Sequence, residues 1–396
     1  MLILNFGIGA SFGVFQIPIA TEFGWPRADF SMAIAIQNLA WGFGQPIFGA
    51  LAERFGDRKA IIVGALMYAA GLVLSSLATT PGQMQALEVL VGFGIAGSGF
   101  GMILAIVGRA SSPENRSLSL GIASGIGSGG QVIGAPVAQA LLQHYPWQTV
   151  FVIFAGAVLC VLFALPFLRS TTTVATRREL EESMGTVLLR AFRDPSYLMI
   201  ALGFFSCVYQ LSFLTAHFPA FITQACGAID PGGMLADFGI TSTATLGAIS
   251  LSVIGLFNIA GSILAGYLGK FYPKKYLLAA IYVGRTVASA AFISFDMTPT
   301  TVLLYSAVMG SMWLATVPLT SGLVAHIYGL RYMGTLYGFV FLSHQIGSFL
   351  GVWLGGRMYD LTGDYTAVWW VGVGVGAFSA LIHLPIRERV MVPQTA

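Results

Sequence analysis

The sequence predicts an all-α integral membrane protein with twelve transmembrane helices arranged as two six-helix bundles. Three observations carry that expectation. Of 396 residues, 56% are apolar and only 9% charged, where an ordinary soluble domain has about 25% charged residues. The apolar residues fall in runs long enough to cross a hydrocarbon core about 30 Å thick, cut by short polar turns. When those runs are threaded through a bilayer in order, the cations collect on one side.

The runs lie near 2–21, 30–53, 59–79, 84–108, 117–142, 147–168, 196–225, 240–268, 276–295, 300–328, 334–358 and 366–386, numbered here as spans 1 to 12. Span 1 follows Met1 directly, with no basic n-region and no small-residue cleavage site, so it reads as a spanning helix and not a cleaved signal peptide. With both termini cytoplasmic, the inner loops and tail hold all but three of the 19 cations. Arg27 and Arg357 fall outside and Arg285 lies within span 9. The expected location is therefore multi-pass, in the cytoplasmic (inner) or plasma membrane.

The longest inner loop divides the chain into an N-terminal six-helix bundle (1–168), a cytoplasmic linker (169–195) and a C-terminal six-helix bundle with a short tail (196–396). Within the linker Leu180, Met184, Val187, Leu188 and Ala191 share one helical face, which reads either as a helix lying on the membrane surface or as a solvated tether. An internal repeat supports two halves of parallel topology. An offset of 217 residues brings Gly49-Ala-Leu-Ala-Glu onto Gly266-Tyr-Leu-Gly-Lys, and Gly121, Gly130 and Gly134 onto Gly338, Gly347 and Gly351.

Other classes are disfavoured. Cys160, Cys207 and Cys226 lie in apolar runs or at their edges and imply neither disulfides nor a metal site. No Walker loop, metal-spaced cluster or nucleophile elbow occurs, so no cofactor and no enzyme activity are expected. The net charge of +3 reflects topology, and no nucleic-acid partner is implied.

Function is sought among polar residues inside the spans, because an unpaired polar group in lipid costs several kcal/mol. His217 precedes Phe218-Pro219 in span 7, and His344 sits beside Gln345 in span 11. Each reads as a reader of a carboxylate or carrier of a proton, or as a packing hydrogen bond. Glu88, near the outer end of span 4, is a protonatable carboxyl suited to proton coupling, or an ionised group at the outer headgroups. Arg285 lies too deep in span 9 to reach water by snorkelling. Gln16, Asn38 and Asn258, in spans 1, 2 and 8, offer amides to a small polar solute or to a neighbouring helix.

The stretch Gly49 to Lys59, GALAERFGDRK, resembles the G-x-L-A-D-x-x-G-R-R loop of the major facilitator superfamily through Gly49, Leu51, Ala52, Arg54, Gly56 and Arg58. Glu53 stands in place of Asp, and Asp57 in place of a cation. That resemblance implies a secondary active transporter working by alternating access. In it spans 3, 6, 9 and 12 are outer supports, so Arg285 pairs with another helix or with carbonyls, or contacts substrate. Gln16, Asn38 and Asn258 then belong to cavity-lining helices. The charge density of Glu53, Arg54, Asp57 and Arg58 beside close-packing Gly49 suggests a gate that holds the inner ends of the two halves together. Gly130, Gly134 and Pro136 loosely resemble the G-x-x-x-G-P motif of superfamily antiporters, with Ala135 intervening.

The turn after span 1, FGVFQIPIATEFGWPRADFS, resembles that of monocarboxylate-carrier-like members, through Gly13-Val14-Phe15, Pro18, Glu22-Phe23-Gly24-Trp25 and Arg27. It implies a carrier of a small organic anion, proton-coupled. The chain is expected to be monomeric, and the polar residues within the spans give His217, His344, Gln16, Asn38, Asn258 and Arg285 as substrate-binding candidates and Glu88 and His344 as proton-coupling ones. Oxalate and lactate carriers of that group place an arginine on span 8. Here span 8 reads FNIAGSILAG, and the two histidines are the replacement cations. The rivals are a proton-driven exporter of apolar drugs and a non-transporting receptor or scaffold.

Overall fold

The computed structural model describes residues 1–25, 27–167, 183–227, 229, 235, 237 and 240–390. Leu180 and most of the expected linker fall outside the described residues, as does the side chain of Gln16. The described chain is helical, with twelve crossings. Span 1 is Leu2–Ser11, a 3-10 turn Phe12–Phe15 and Gln16–Phe23; span 2 is Arg27–Phe55, span 3 Asp57–Ser75, and span 4 Pro81–Ser98 with Phe100–Ala110. Span 5 is Arg116–Leu142, and span 6 is Trp147–Cys160 with Val161–Phe167. The surface helix Met184–Arg193 leads into span 7, Pro195–Ala225. Spans 8 and 9 are Thr243–Leu268 and Lys274–Ser294. Span 10 is Pro299–Ser311 with Thr316–Tyr328, and spans 11 and 12 are Met333–Thr362 and Thr366–His383.

Eight of these crossings are long and apolar enough to be recognised as spans on length and hydropathy alone. Spans 1 and 6 are short helices extended by 3-10 turns. Spans 2 and 5 are less apolar: one carries Gln37, Asn38 and Gln45, the other a run of Gly and Ser with Gln131. Both of these polar spans face the opposite half of the molecule, so their polarity is turned toward protein and not toward lipid.

The halves repeat each other helix by helix. Span 1 packs on 5, 2 on 4, 3 on 4 and 3 on 6; span 7 packs on 11, 8 on 10, 9 on 10 and 9 on 12. Even the caps recur. Thr80 and Thr298 each form a capping box with the residue three positions on, Gln83 and Thr301, and each is followed by a proline whose missing N–H suits a first helical turn. The aligned glycines repeat their contacts too. Gly130 and Gly134 lie against the backbone of Ile3 and Gly7 in span 1, and Gly347 and Gly351 against Phe205 and Tyr209 in span 7.

The halves meet along two seams that this symmetry also relates, span 2 on span 11 and span 5 on span 8. On the second seam, a Cβ added to Gly121 would stand 2.6 Å from the Ser262 carbonyl oxygen and 2.9 Å from the Gly266 Cα. Both obstacles are backbone and have nowhere to go. Gly121→Val is expected to prise span 5 from span 8 and to cost about 1–3 kcal/mol in thermal unfolding measured in detergent. Gly129→Ala, with nothing within 4 Å of the added carbon, should be near neutral.

Candidate functional site

Between the halves lies a cavity of about 620 Å³, walled by spans 1, 2, 4 and 5 on one side and 7, 8 and 10 on the other. Its polar wall is made of amides and hydroxyls, Asn5, Gln37, Asn38, Gln131, Gln139, Thr215 and Ser252. Phe6, Trp41, Phe100 and Trp313 supply aromatic surface. Among the described residues lining it, none is charged.

Two of the walls are broken helices. Span 10 stops at Ser311 and restarts at Thr316. Pro318 gives the local reason, since it has no N–H to offer the Leu314 carbonyl and its ring would clash there, so a helix is readily started just ahead of it. A break inside a membrane leaves backbone groups that must be satisfied by protein. Arg285 Nε donates to the Met312 carbonyl at 3.0 Å and its Nη2 to the Met312 and Trp313 carbonyls, while Asn258 Oδ1 accepts from the Leu314 N–H at 2.9 Å. Trp313 is thereby fixed in the cavity wall. In the other half span 4 breaks at Gly99, and Asn5 Nδ2 donates to the Ser98 carbonyl at 3.0 Å.

Toward the face carrying Arg58 and Lys59 the cavity is closed by the two seams. Trp41 packs on Phe341 with ring centroids 4.9 Å apart, Gln345 Nε2 donates to the Asn38 carbonyl at 3.2 Å, and Gly338 lies against the backbone of Pro46. Gly49 touches the backbone of Gly334 and Thr335. One turn on, Glu53 accepts the Thr335 N–H at 3.0 Å and the Thr335 hydroxyl. A carboxylate from one half thus caps the exposed N–H groups at the start of span 11 in the other half, where the helix dipole also favours negative charge. Asp57, at the first turn of span 3, pairs with Arg109 at 2.5 Å, tying spans 3 and 4 together beside that contact. Arg58 donates to the Pro166 carbonyl at 3.5 Å, and Arg54 is exposed, stacked over Phe55.

Comparison with known proteins accords with this geometry. The family model described as Major Facilitator Superfamily matches residues 1–227 and again 217–396. The chain belongs to the Major Facilitator Superfamily. It is accordingly a transporter and not an enzyme. Among relatives in this superfamily, Monocarboxylate transporter 13 of Bos taurus is 27% identical over 397 residues, covering 96% of this chain and 86% of that protein. Multidrug resistance protein MdtH of Yersinia pestis (strain Pestoides F) is 26% identical over 392 residues, covering 94% and 89%. Among solved structures, the proton:xylose symporter XylE superposes with a TM-score of 0.78 at 13% identity, covering 98% of this chain and 95% of that one. The E. coli fucose:proton symporter FucP gives 0.70 at 16%, covering 96% of each. These two likenesses speak to the fold.

Within this Major Facilitator Superfamily fold, the residues singled out in the sequence scatter. Asn38 lines the cavity. Asn258 is fully buried one turn from cavity-lining Gly255, donating to Ser128 at 2.9 Å across the seam. Neither histidine lines the cavity. His217 is two residues from Thr215, which does, and so about 200° round the helix; its Nε2 lies 3.0 Å from the Val352 carbonyl. His344 is buried between the rings of Phe204 and Phe341, with Nδ1 3.2 Å from Gln345 Oε1. Glu88 is 1% exposed, accepting from Gln37 at 2.7 Å and Ser75 at 3.4 Å. Gln37 in turn lines the cavity.

Sequence reasoning passed over Asn5, Gln37, Gln131, Gln139, Trp41 and Trp313. The amides carried the same signal as Asn38, a costly group inside an apolar run, and Gln131 and Gln139 are spaced for one helical face.

Glu53→Ala removes the acceptor from a seam contact and is expected to weaken closure by about 1–3 kcal/mol. Spin labels at positions 59 and 276, on the same face of opposite halves, should report a population shifted to longer distances. Arg285→Met strands the two carbonyls of the span 10 break, each costing about 1–3 kcal/mol. It should lower thermal stability markedly, with Arg285→Lys intermediate.

Proposed function

We propose that this transporter is a proton-coupled secondary carrier of a small monocarboxylate-like organic anion, working as a monomer by alternating access with both termini cytoplasmic. The observation that carries the reading is the central cavity, rich in amides, free of charged side chains among its described lining residues, and one hydrogen bond from Glu88. A carboxylate entering it gains amide and hydroxyl donors for its oxygens. It meets no counter-charge, and burying an uncompensated anion is costly. The load is neutral overall if a proton enters with the anion. Glu88 is the group to hold that proton, because an ionised Glu88 behind Gln37 would repel the substrate and a protonated one would not. His344 reaches the cavity wall through two hydrogen bonds, by way of Gln345 and Asn38, and Glu88 through one.

With the basic face inward, closure of the two seams makes this the state open to the outside. Alternation then consists of breaking the Glu53 and Gly49 contacts to span 11 while the outer ends close. The relatives named as monocarboxylate transporters favour this substrate class. A second reading, export of apolar compounds, is favoured by the aromatic wall of Phe6, Trp41, Phe100 and Trp313 and by the relative named as a multidrug resistance protein.

Uptake by proteoliposomes separates the two. Labelled monocarboxylates, dicarboxylates and lipophilic dyes are offered with and without an inward pH gradient. The expected outcome is monocarboxylate accumulation driven by the pH gradient, with Glu88→Gln retaining exchange of substrate across the membrane but losing gradient-driven accumulation. Dye transport with no monocarboxylate uptake would favour the export reading.

A further inference from the structure

We propose that the anion carried is an aryl monocarboxylate, its ring seated at the closed end of the central cavity and its carboxylate against Asn38 and Gln131. This substrate class rests on the reading of the protein as a monocarboxylate carrier and narrows it. The cavity's amides and rings are not intermixed along its depth. Asn38 and Gln131 are half-buried in the lining, and neither side chain has a hydrogen-bond partner among the described residues. Their amide N–H groups are therefore ready for a carboxylate.

One helical turn closer to the basic face, the wall becomes aromatic on three helices independently. On span 2, Trp41 follows Asn38 by one turn. On span 5, Gly127 lies one turn below Gln131, and a Cβ added there would stand 3.0 Å from the Phe6 ring. On span 8, Gly255 lies against Val132, the neighbour of Gln131, and Asn258 one turn on holds the Leu314 N–H beside Trp313. Phe100 completes the floor, meeting Phe6 edge-on at 5.0 Å. Two donors at this depth are already committed, Asn5 Nδ2 to the Ser98 carbonyl at 3.0 Å and Trp41 Nε1 to Gln45 Oε1 at 3.2 Å. What Phe6, Trp41 and Phe100 offer a ligand there is ring surface.

A turn of helix is about 5.4 Å, an offset that a two-carbon spacer between carboxylate and ring can bridge. The volume of about 620 Å³ lies within the range of about 300–1,000 Å³ that takes drug-sized ligands. A short-chain acid held by Asn38 and Gln131 would leave the aromatic floor in water, whereas a ring buries it and gains ring-to-ring contacts as well. The seated ring also bears on the seam, because Trp41 packs on Phe341 of the opposite half.

Equilibrium dialysis against the full chain in lipid nanodiscs, with empty nanodiscs subtracted, measures affinity for 3-phenylpropionate, propionate and the neutral 3-phenylpropionamide. The expected result is 3-phenylpropionate bound at least about tenfold tighter than either of the others. Trp313→Leu should cut the margin over propionate to about threefold or less, and Trp313→Phe, which keeps a ring, should hold most of it. Phe100→Leu should narrow the margin as well, without touching the break in span 10. Equal affinity for the two carboxylates, or a margin unchanged in both leucine variants, would overturn the aryl substrate class and leave the monocarboxylate reading standing. Equal affinity for 3-phenylpropionate and its amide, or binding of neither carboxylate, would overturn the monocarboxylate reading itself and the aryl class with it.

Discussion

Inside a bilayer every backbone N–H and carbonyl must find its partner within the protein, and the rest of this structure depends on how that demand is met where helices break. Spans 4 and 10 are each interrupted midway. A break is tolerable only because side chains from neighbouring spans are delivered to the freed groups: Asn5 to Ser98, Arg285 and Asn258 to residues 312–314. Arg285 is fully buried and has no carboxylate within salt-bridge distance among the described residues. Its charge is stabilised by carbonyl dipoles at the C-terminal end of a half-helix, by the Cys207 sulfur at 3.4 Å and by the ring of Tyr282. Span 9, an outer support, therefore acts on the cavity without reaching it, by holding the stretch that bears Trp313.

Much of this was legible beforehand, and for physical reasons. Apolar length and charge asymmetry are imposed by the bilayer, so the twelve crossings could be read from them even where spans 2 and 5 fall short in hydropathy. The glycine repeat was legible because close backbone approach admits nothing larger. The matched glycines prove to make matched contacts, Gly134 on span 1 and Gly351 on span 7. The close approach at Gly49 was legible for the same reason, whereas the meeting of Glu53 with the start of span 11 was not, since nothing in the sequence says which helix end a carboxylate faces.

The facing of individual polar residues was not legible. A helix buried in lipid or protein on every side has little amphipathic phase, so nothing in the sequence distinguishes the side of span 7 that bears Thr215 from the side that bears His217. Adjacent Gln37 and Asn38 both reach the cavity, but one also reaches back to Glu88. The break in span 10 was foreshadowed by Pro318, yet Pro46, Pro136 and Pro219 sit inside unbroken helices. Proline permits a break, and the partners waiting in the neighbouring helices decide whether one forms.

Beside side-chain contacts such as Trp41 on Phe341, both seams between the halves include backbone against backbone, as where Gly49 meets Gly334 and Gly121 meets Gly266. Long side chains crossing an interface can stretch and follow a separating partner, so their attraction fades gradually. Peptide planes cannot. A gap of about 0.5–1 Å already forfeits a quarter to a half of a dispersion contact, and here the contacts along a seam are lost together. Such an interface behaves as a latch: it holds the halves fully shut or releases them, and half-open arrangements are disfavoured relative to both ends. For the alternation proposed above, glycine at the seam thus favours two discrete states over a continuum.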